Sequence, residues 1–432
     1  MPFNYLDERD TFFCKDTKKC LIFQDYELQF VIFPKKNMKN LQSFFIFCIF
    51  VNNINIIIDC MKILYVTDAL AVWGGIERVL SDKMNYLVQE YGYEIYVVTA
   101  DQGDHPIPFP LDKRIHVKDM NIRYHQQYKY HGIKRLLKYC ELERLFKNRL
   151  QSYISEIKPD VISCIRDGYA SAVLDIKGNI PVIFESHAMY RDVEYENATL
   201  THRYITYLKR RKFRKLDMLV ALTQGDADDW KRVCHHVCII PNVVHLNESG
   251  RSSLCKSKNV VLAGRFDLQK DQTSMLLIWS KVQKQHPDWV LNMYGNGELK
   301  VFCEQYVIRR KLNVHIHSAV PDIFEKYLEA SMLVMSSLYE PFGLVLAEAM
   351  SCGLPVVAFD CPYGPADIIN NGVDGFLVED RNVDAFAERV CQLIEDEQQR
   401  VKMGKAAISS VQRYRAEKIM PKWKQLFEQL LS

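Results

Sequence analysis

The first sixty residues contain no glycine, although the chain of 432 residues has 18. Turns often need the positive φ angles that glycine adopts easily, so a folded domain without glycine is unexpected. The same stretch holds 10 of the 22 phenylalanines. A buried-strand pattern then begins directly after Met61. We interpret residues 1–60 as a spurious or atypical extension before a natural start at Met61, with a membrane anchor or an extra structural element as alternatives.

A long hydrophobic run is also missing. Residues 44–58 are apolar, but Asn52, Asn53 and Asn55 interrupt them. The run is shorter than the ~20 apolar residues of a membrane-spanning helix. No small-residue cleavage site of a signal peptide follows it. The segment therefore matches neither type of targeting sequence.

The chain lacks a disulfide framework and a strong excess of charge. Its thirteen cysteines are scattered, which indicates reduced thiols and a cytoplasmic protein. The net charge of +3 argues against a general nucleic-acid binder. Cys234, His235, His236 and Cys238 cluster in the sequence, but their spacing fits no common zinc site, and we predict no metal.

From Met61 onward, short apolar runs alternate with amphipathic helical runs, as in parallel sheets covered by helices on both faces. The predicted strands of a first set are 62–67, 95–99, 161–164, 182–185, 218–222 and 238–240, and those of a second set are 260–263, 290–294, 314–317, 333–336, 356–359 and 376–378. We predict two doubly wound α/β domains, residues 61–244 and 245–414, with a last helix at 415–432 that packs back on the first domain. Ligands of such sheets bind beyond the carboxyl ends of the strands.

Two glycine loops follow predicted strands. Gly74 and Gly75 open the first long helix, where free amides can face an anion. Gly295 and Gly297 follow a strand of the second domain and allow backbone to approach a nucleotide. Plain tight turns are the alternative interpretation of both loops.

Charged side chains follow other strands of the second domain. Arg265 and Lys270 can hold a diphosphate, unless they are simply solvated surface cations. Glu340 lies in a loop after a strand, and Glu348 lies eight residues later, about two turns into a helix. Such carboxylates accept hydrogen bonds from sugar or ribose hydroxyls. No acid-rich metal signature accompanies the two cations.

These motifs, over nearly all of residues 61–432, resemble the retaining GT-B glycosyltransferases of family 4. The glutamate pair in EPFGLVLAEAM is similar to the family's E-x7-E signature, which is specific. The segments WGGIERV, IIPNVV, GRFDLQKDQ, YGNGE, GLPVVAFDCPYGPADII and NGVDGFLVED follow the family order. The resemblance implies the GT-B architecture, two Rossmann-like domains that face each other across a cleft.

The resemblance also implies roles for individual residues. The expected catalytic residues are His187 and Glu340, and without the resemblance His187 would be read as a structural histidine. Glu348 is expected to bind the donor ribose, and Arg265 and Lys270 the diphosphate. The other expected donor-binding residues are Gly295, Gly297, Phe342, Gly343 and Leu344, while Gly74 and Gly75 are expected near phosphate or acceptor. Asp271 and Asp367 depart from the residues frequent in the family.

The implied reaction retains the anomeric configuration and needs no metal or other cofactor. The expected donor is a nucleotide diphosphate sugar, and UDP is the expected nucleotide. The oxygen of its phosphate assists deprotonation, and Glu340 stabilises charge rather than acting as a nucleophile. A nucleotide-sugar 2-epimerase and a non-catalytic scaffold on the same fold are the alternatives.

The expected acceptor is a lipid-linked glycan, because the WGGIERV and FDCPYGPADII versions resemble those of polysaccharide-building members. Seven of the thirteen residues 203–215 are Lys or Arg, interleaved with Tyr204, Tyr207 and Phe213. A basic and aromatic helix suits the anionic inner face of the plasma membrane, although a solvated face is the alternative. We expect a cytoplasmic, peripheral membrane enzyme without nucleic-acid partners.

Overall fold

A computed structural model describes residues 60–190 and 200–432, except for the side chains of 200–202, 205, 208 and 209, and the backbone of residues 12–13, 19–22 and 31–34. The chain divides into two units, Met1–Asp59 and Cys60–Ser432. The first unit contains three short strands, β1 (Phe12–Phe13), β2 (Lys19–Ile22) and β3 (Val31–Pro34), in an antiparallel sheet of order β1-β2-β3. The interpretation of residues 1–60 as an extension falls mostly outside the described residues.

The first half of the second unit is a parallel sheet of seven strands, in the order β10-β9-β8-β7-β4-β5-β6. The strands are β4 (Lys62–Thr67), β5 (Glu94–Thr99), β6 (His116–Asp119), β7 (Val161–Cys164), β8 (Val182–Ser186), β9 (Met218–Ala221) and β10 (Val237–Ile239). The helices are α1 (Gly75–Glu90), α2 (Gly132–Ile157), α3 (Asp167–Val173), α4 (Leu200–Arg211) and α5 (Gln224–Trp230), with 3₁₀ turns at Tyr124–Lys129 and Lys212–Lys215.

The burial of each strand in this sheet explains whether the sequence predicted it. β4 and β7 are almost wholly buried, which is why they read as continuous apolar runs. β6 is the strand that the sequence did not predict, because it lies at the edge of the sheet, is mostly exposed and contains charged residues. An edge strand of this kind has no apolar pattern to detect.

The second half is a parallel sheet of six strands, in the order β13-β12-β11-β14-β15-β16. The strands are β11 (Asn259–Ala263), β12 (Val290–Tyr294), β13 (Val314–His317), β14 (Met332–Met335), β15 (Val356–Phe359) and β16 (Gly375–Val378). The helices are α6 (Gln272–Gln285), α7 (Lys300–Arg310), α8 (Phe324–Leu328), α9 (Leu344–Ser351), α10 (Gly364–Ile368), α11 (Val383–Glu395), α12 (Glu397–Val411) and α13 (Ala416–Leu431), with a 3₁₀ turn at Gln412–Tyr414. The prediction of two doubly wound parallel sheets is confirmed.

Strand order places a crevice in each sheet. From β4 the chain moves outward to β5 and β6, and then returns to β7 on the other side of β4. The second sheet repeats this reversal between β11 and β14. Ligands bind at such switch points, beyond the carboxyl ends of the strands. The candidate residues follow these strand ends.

The last helix, α13, packs on the first sheet domain. Ile419, Met420, Trp423 and Phe427 are buried in one apolar cluster with residues of β4, α1 and β5. The preceding helix, α12, belongs to the second domain, where it packs against α9 and α11. The chain therefore crosses between the domains twice.

Candidate active site at the facing edges of the two sheets

The glycine loop of the first domain touches the second domain. Gly74 caps α1 in an extended conformation, and Gly75 is the first residue of that helix. A Cβ atom at Gly75 would lie 3.0 Å from Cδ1 of Leu344, the first residue of α9. A side chain at position 75 would therefore have to displace the Leu344 side chain of the second domain.

The start of α9 depends on Gly343. This residue has a φ of 97°, in the left-handed region that side chains with a Cβ avoid. Phe342 is buried, and its ring meets the ring of Tyr414 edge-on, with centroids 5.2 Å apart and an interplanar angle of 88°. Phe342 thus anchors the loop. At the start of α9 the Leu346 amide donates to the Gly343 carbonyl at 3.0 Å, whereas the Leu344 and Val345 amides have no preceding helical carbonyl to bind.

Glu340 and Lys270 form an ion pair inside the second domain. The Lys270 Nζ lies 2.5 Å from the Glu340 carboxylate, and Ser337 donates a hydrogen bond to the same oxygen at 3.2 Å. The backbone of Glu340 is held by Pro362 and Gly364. Only 7% of Glu340 is exposed, so its carboxylate is fixed at the base of the loop.

Arg265 is far more accessible than Lys270. Its side chain is 71% exposed and pairs with Asp267 at 3.2 Å. Burial raises the pKa of Glu77, on α1, while Arg166 and Arg265 oppose that rise. Arg265 therefore lies within electrostatic reach of the first domain, at the opening between the two sheets.

Gly295 and Gly297 are required by the crossing of two loops. A Cβ at Gly295 would overlap the carbonyl oxygen of Gly264, and one at Gly297 would overlap the backbone of Phe266. The two loops are joined by a hydrogen bond of 2.9 Å from the Phe266 amide to the Asn296 carbonyl. This packing accounts for both glycines, and their contact with a nucleotide stays a prediction.

Glu348 pairs with a residue of the other domain. Its carboxylate lies 3.8 Å from the Arg78 guanidinium, which α1 supplies. Burial raises the pKa of Glu348 to about 6, although Arg78 opposes that rise. The sequence analysis did not single out Arg78, because Glu348, the carboxylate with which it pairs, lies 270 residues away in the sequence.

His187 lies in a buried polar network at the end of β8. Its Nε2 is 3.1 Å from the Glu185 carboxylate, which also accepts a hydrogen bond from Ser163 at 2.6 Å and pairs with Lys83. Burial lowers the pKa of His187, although Glu185 opposes this. Burial pushes the pKa of Glu185 upward, but Lys83 and His187 hold it down at about 2. His187 is thus a neutral imidazole held by an ionised carboxylate at neutral pH.

A second ion pair lies at the switch point of the first sheet. Arg166, after β7, is 3.4 Å from Asp68, after β4. The charge of Arg166 also acts on His187 and Glu77. Neither Arg166 nor Asp68 stood out in the sequence, because single charged residues after strands are common.

Two further contacts join the domains beside the site. The Tyr363 hydroxyl donates a hydrogen bond to Asp229, and the Gln224 amide donates one to Asp367 at 3.2 Å. Burial raises the pKa of Asp367, opposed by the Gln224 amide. Asp367 thus connects the donor-side loop to the first domain.

The basic segment 203–215 is less exposed than the sequence suggested. Phe213 is fully buried in the core, so its proposed place among surface aromatics was wrong. Arg210 is buried with its guanidinium 4.5 Å from the Tyr190 ring, and Lys212 pairs with Asp175 at 2.8 Å. Tyr204 and Tyr207 are exposed.

The described residues contain neither a metal-binding cluster nor a membrane-spanning helix. There, no group of three or more His, Cys, Asp or Glu side chains is arranged to hold a metal ion. Within the same residues, every helix is too short or too polar to span a lipid bilayer. The ten cysteines from Cys60 to Cys391 are free thiols.

Family comparisons agree with this arrangement. Residues 73–248 match the family described as "Glycosyltransferase Family 4", and residues 250–410 match "Glycosyl transferases group 1". The chain is a family 4 glycosyltransferase. The amylovoran biosynthesis glycosyltransferase AmsD of Erwinia amylovora is 27% identical to this glycosyltransferase over 84% of the chain and 98% of its own length. An uncharacterized glycosyltransferase of Haemophilus influenzae is 26% identical over 81% of the chain and 95% of its own length.

Solved structures share the fold of this glycosyltransferase. S. aureus TarM superposes with a TM-score of 0.70 at 17% identity, over 85% of this chain and 100% of its own. Anabaena HepE in complex with UDP superposes with a TM-score of 0.64 at 18% identity, over 85% and 100%. The GT-B architecture implied by the sequence is confirmed.

Proposed function

We propose that this glycosyltransferase moves a sugar from a UDP-sugar to a glycan acceptor, with retention of anomeric configuration and without a metal ion. The observation that carries the proposal is the pair of buried carboxylates, Glu340 and Glu348, at the two ends of one loop-helix unit that faces the first domain. Each carboxylate already has a cationic partner, Lys270 and Arg78 respectively.

The departing nucleotide diphosphate carries the negative charge that the site must stabilise. Lys270 sits beside Glu340, and Arg265 is exposed at the opening, so both can turn toward a diphosphate. The amides of the first turn of α9 add positive potential at the same edge. Two cations and a helix N-terminus supply the stabilisation that a metal gives in other transferases.

The sugar is proposed to lie between Glu340 and His187. Because Nε2–H of the neutral imidazole donates to the Glu185 carboxylate, Nδ1 remains as an acceptor for a sugar hydroxyl. The network of Glu185 and Lys83 fixes the ring of His187 in one orientation. Glu348 would accept hydrogen bonds from the ribose, since its carboxylate is buried but stays ionised at neutral pH.

Donor base and pathway are proposed from the relatives. Structures of TarM and HepE contain UDP, which supports UDP as the carrier of the sugar. AmsD is named for amylovoran biosynthesis, which supports a role in surface polysaccharide or lipopolysaccharide synthesis with a lipid-linked glycan as acceptor. An acceptor of that kind places the enzyme at the cytoplasmic face of an anionic membrane.

The test combines turnover with a site variant. The full chain is incubated with UDP-, GDP- and ADP-sugars and a polyprenyl-linked glycan extract, with and without EDTA, and products are followed by mass spectrometry and by NMR of the new anomeric centre. Acceptor-dependent release of UDP that EDTA does not change supports the proposal. A nucleotide sugar of unchanged mass and shifted retention would show a 2-epimerase instead.

Glu340→Gln should lower kcat by about 10²-fold or more, because it removes charge stabilisation at the reacting sugar. Glu388→Gln, at an exposed glutamate of α11, is the matched control and should keep the wild-type rate. An unchanged kcat in Glu340→Gln would contradict the assignment of this site.

A further inference from the structure

The first part of helix α2 contributes nothing to the core. The helix begins at Gly132, and its first buried residue is Leu142. Ile133, Leu136 and Leu137 are 77%, 57% and 64% exposed, respectively. At 1.5 Å per residue, these turns extend about 14 Å from Ile133 to Leu142.

The exposed apolar residues of α2 form a stripe of their own. Ile133, Leu136, Leu137 and Cys140 follow the i, i+3, i+4, i+7 spacing that places side chains on one face. At 100° per residue, this face points about 120° away from the buried face of the same helix. The buried face consists of Leu142, Phe146, Leu150, Tyr153, Ile154 and Ile157. The stripe is therefore a second apolar face that looks into solvent.

Positive charge flanks the start of α2, and the first acidic residue of the helix, Glu141, pairs with Lys138 at 2.8 Å. Residues 120–140 include five Lys or Arg and no Asp or Glu. Tyr128 and Tyr130, in the turn before the helix, are 64% and 43% exposed. The Arg135 guanidinium lies 4.5 Å from the Tyr128 ring. Apolar residues flanked by cations and tyrosines are typical of helices that lie in the interface of an anionic bilayer.

The stripe lies at the same sheet edge as the active site. Because a helix that links parallel strands runs antiparallel to them, the start of α2 lies near the carboxyl ends of the strands. His125 confirms this placement, since its ring nitrogen is 2.9 Å from Asp101, just after β5. The Tyr124 ring also packs near the Tyr169 ring, on α3, with centroids 6.3 Å apart.

We propose that the Ile133–Leu136–Leu137 face of α2 docks on the headgroup region of an anionic lipid bilayer. A second copy of this chain is a poorer occupant, because two such faces would bring their five cations each together. The surface differs from the basic segment 203–215, whose Phe213 is in the core. This inference deepens the proposed function, since a bilayer at this edge presents a lipid-linked acceptor to the cleft.

The experiment measures vesicle binding of the full chain without turnover. Sedimentation with vesicles of phosphatidylglycerol and phosphatidylethanolamine is compared with vesicles of phosphatidylcholine alone, at low and high salt. Leu136→Ser/Leu137→Ser should weaken binding to anionic vesicles by about tenfold or more, because two apolar side chains leave the interface. Lys134→Gln/Lys138→Gln should weaken it too and reduce its salt dependence.

Ile308→Ser is the matched control, because Ile308 is 76% exposed on α7 of the second domain. It should bind vesicles as the wild type does. Wild-type affinity in Leu136→Ser/Leu137→Ser, or equal binding to neutral vesicles, overturns the proposal. A wild-type dimer that the same double variant converts to a monomer overturns it in favour of a second copy.

UDP binding, measured by calorimetry on the same samples, separates this inference from the proposed function. The double variant should keep the wild-type affinity for UDP while it loses the vesicles. Loss of both by a double variant whose circular dichroism matches that of Ile308→Ser would overturn the proposal. If the double variant is misfolded, Lys134→Gln/Lys138→Gln decides the test, and wild-type binding to anionic vesicles by that variant would overturn the proposal. Absence of UDP binding in the wild type would contradict the donor assignment and leave the vesicle result unchanged.

Discussion

At the scale of single residues, the site rests on charges that meet across the domain opening. Glu348 is buried on α9, yet its nearest cation, Arg78, belongs to α1 of the other domain. Burial disfavours the ionised carboxylate, while Arg78 favours it. The ionisation of Glu348, in the second domain, is therefore coupled to the position of the first domain, which carries Arg78.

Donor binding should consequently depend on pH near 6. Only the ionised Glu348 accepts hydrogen bonds from both ribose hydroxyls, and its pKa is about 6. The affinity for UDP should fall about tenfold between pH 7 and pH 5, since only about one carboxylate in ten is ionised at one unit below the pKa. Calorimetric titration with UDP from pH 5 to pH 8 gives the midpoint.

Arg78→Met should move that midpoint to higher pH, because it removes the charge that lowers the pKa of Glu348. Arg114→Met, in an exposed pair with Asp112, should leave the midpoint in place. A midpoint that Arg78→Met does not shift would remove Glu348 as the titrating group.

The ionisation of Glu348 also affects the stability of the fold, with a pH dependence opposite to that of UDP binding. Its folded-state pKa is raised from 4.5 to about 6, so its contribution is most favourable below pH 4.5 and is lost as the pH rises through 6. The shift corresponds to a cost of about 2 kcal/mol at neutral pH. The site thus keeps a buried charge that the fold alone does not favour.

At the scale of elements, the strand-to-helix loops of the second domain hold one another in place. The loop that carries Arg265 and the loop with Gly295 and Gly297 approach so closely that no Cβ fits between them. The position of Arg265, which we propose binds the diphosphate, is therefore set by glycines that need not touch the donor.

Gly295→Ala should destabilise the second domain by about 2 kcal/mol or more, because its Cβ overlaps the Gly264 carbonyl and the loops must separate. Gly264→Ala is the matched control, since its Cβ would meet only the Lys270 side chain, at 3.6 Å. It should change the free energy of unfolding by less than about 1 kcal/mol. Urea unfolding of both variants distinguishes loop crowding from a general effect of alanine.

At the scale of the whole molecule, the last helix, α13, packs on the domain that begins with β4. Trp423 is 4% exposed, and the Lys83 Nζ lies 4.1 Å from its ring centroid. Lys83 in turn pairs with Glu185, which holds His187. The final helix is therefore part of the shell that supports the first-domain side of the site.

Trp423→Ala should destabilise the first domain by about 3–5 kcal/mol, as expected for truncation of a buried aromatic side chain. Hydrogen exchange should accelerate in β4 and β5, because α13 packs on the seven-stranded sheet. It should not change in β12 and β13, which belong to the six-stranded sheet. Lys422→Ala, one residue earlier and exposed, should leave both regions unchanged. Equal acceleration in both sheets would contradict this division of the chain.

The sequence was sufficient for features that depend on local pattern. Fully buried strands such as β7 and β15 show as apolar runs, and Glu340 and Glu348 stand out because their spacing belongs to one loop-helix unit. β6 was missed because an exposed edge strand has no such pattern. Phe213 was misplaced because an aromatic residue among cations reads as surface until its packing is known.

The sequence by itself determined the two-sheet architecture, the family and the main candidate residues, since each follows from short-range periodicity or from a contiguous motif. Only the tertiary structure decided which charges meet: Arg78 with Glu348, Lys270 with Glu340, and Lys83 with Glu185. It also showed that the apolar stripe at the start of α2 is exposed. The physical reason is that pairing and burial depend on contacts between distant segments, which local patterns of side chains do not encode.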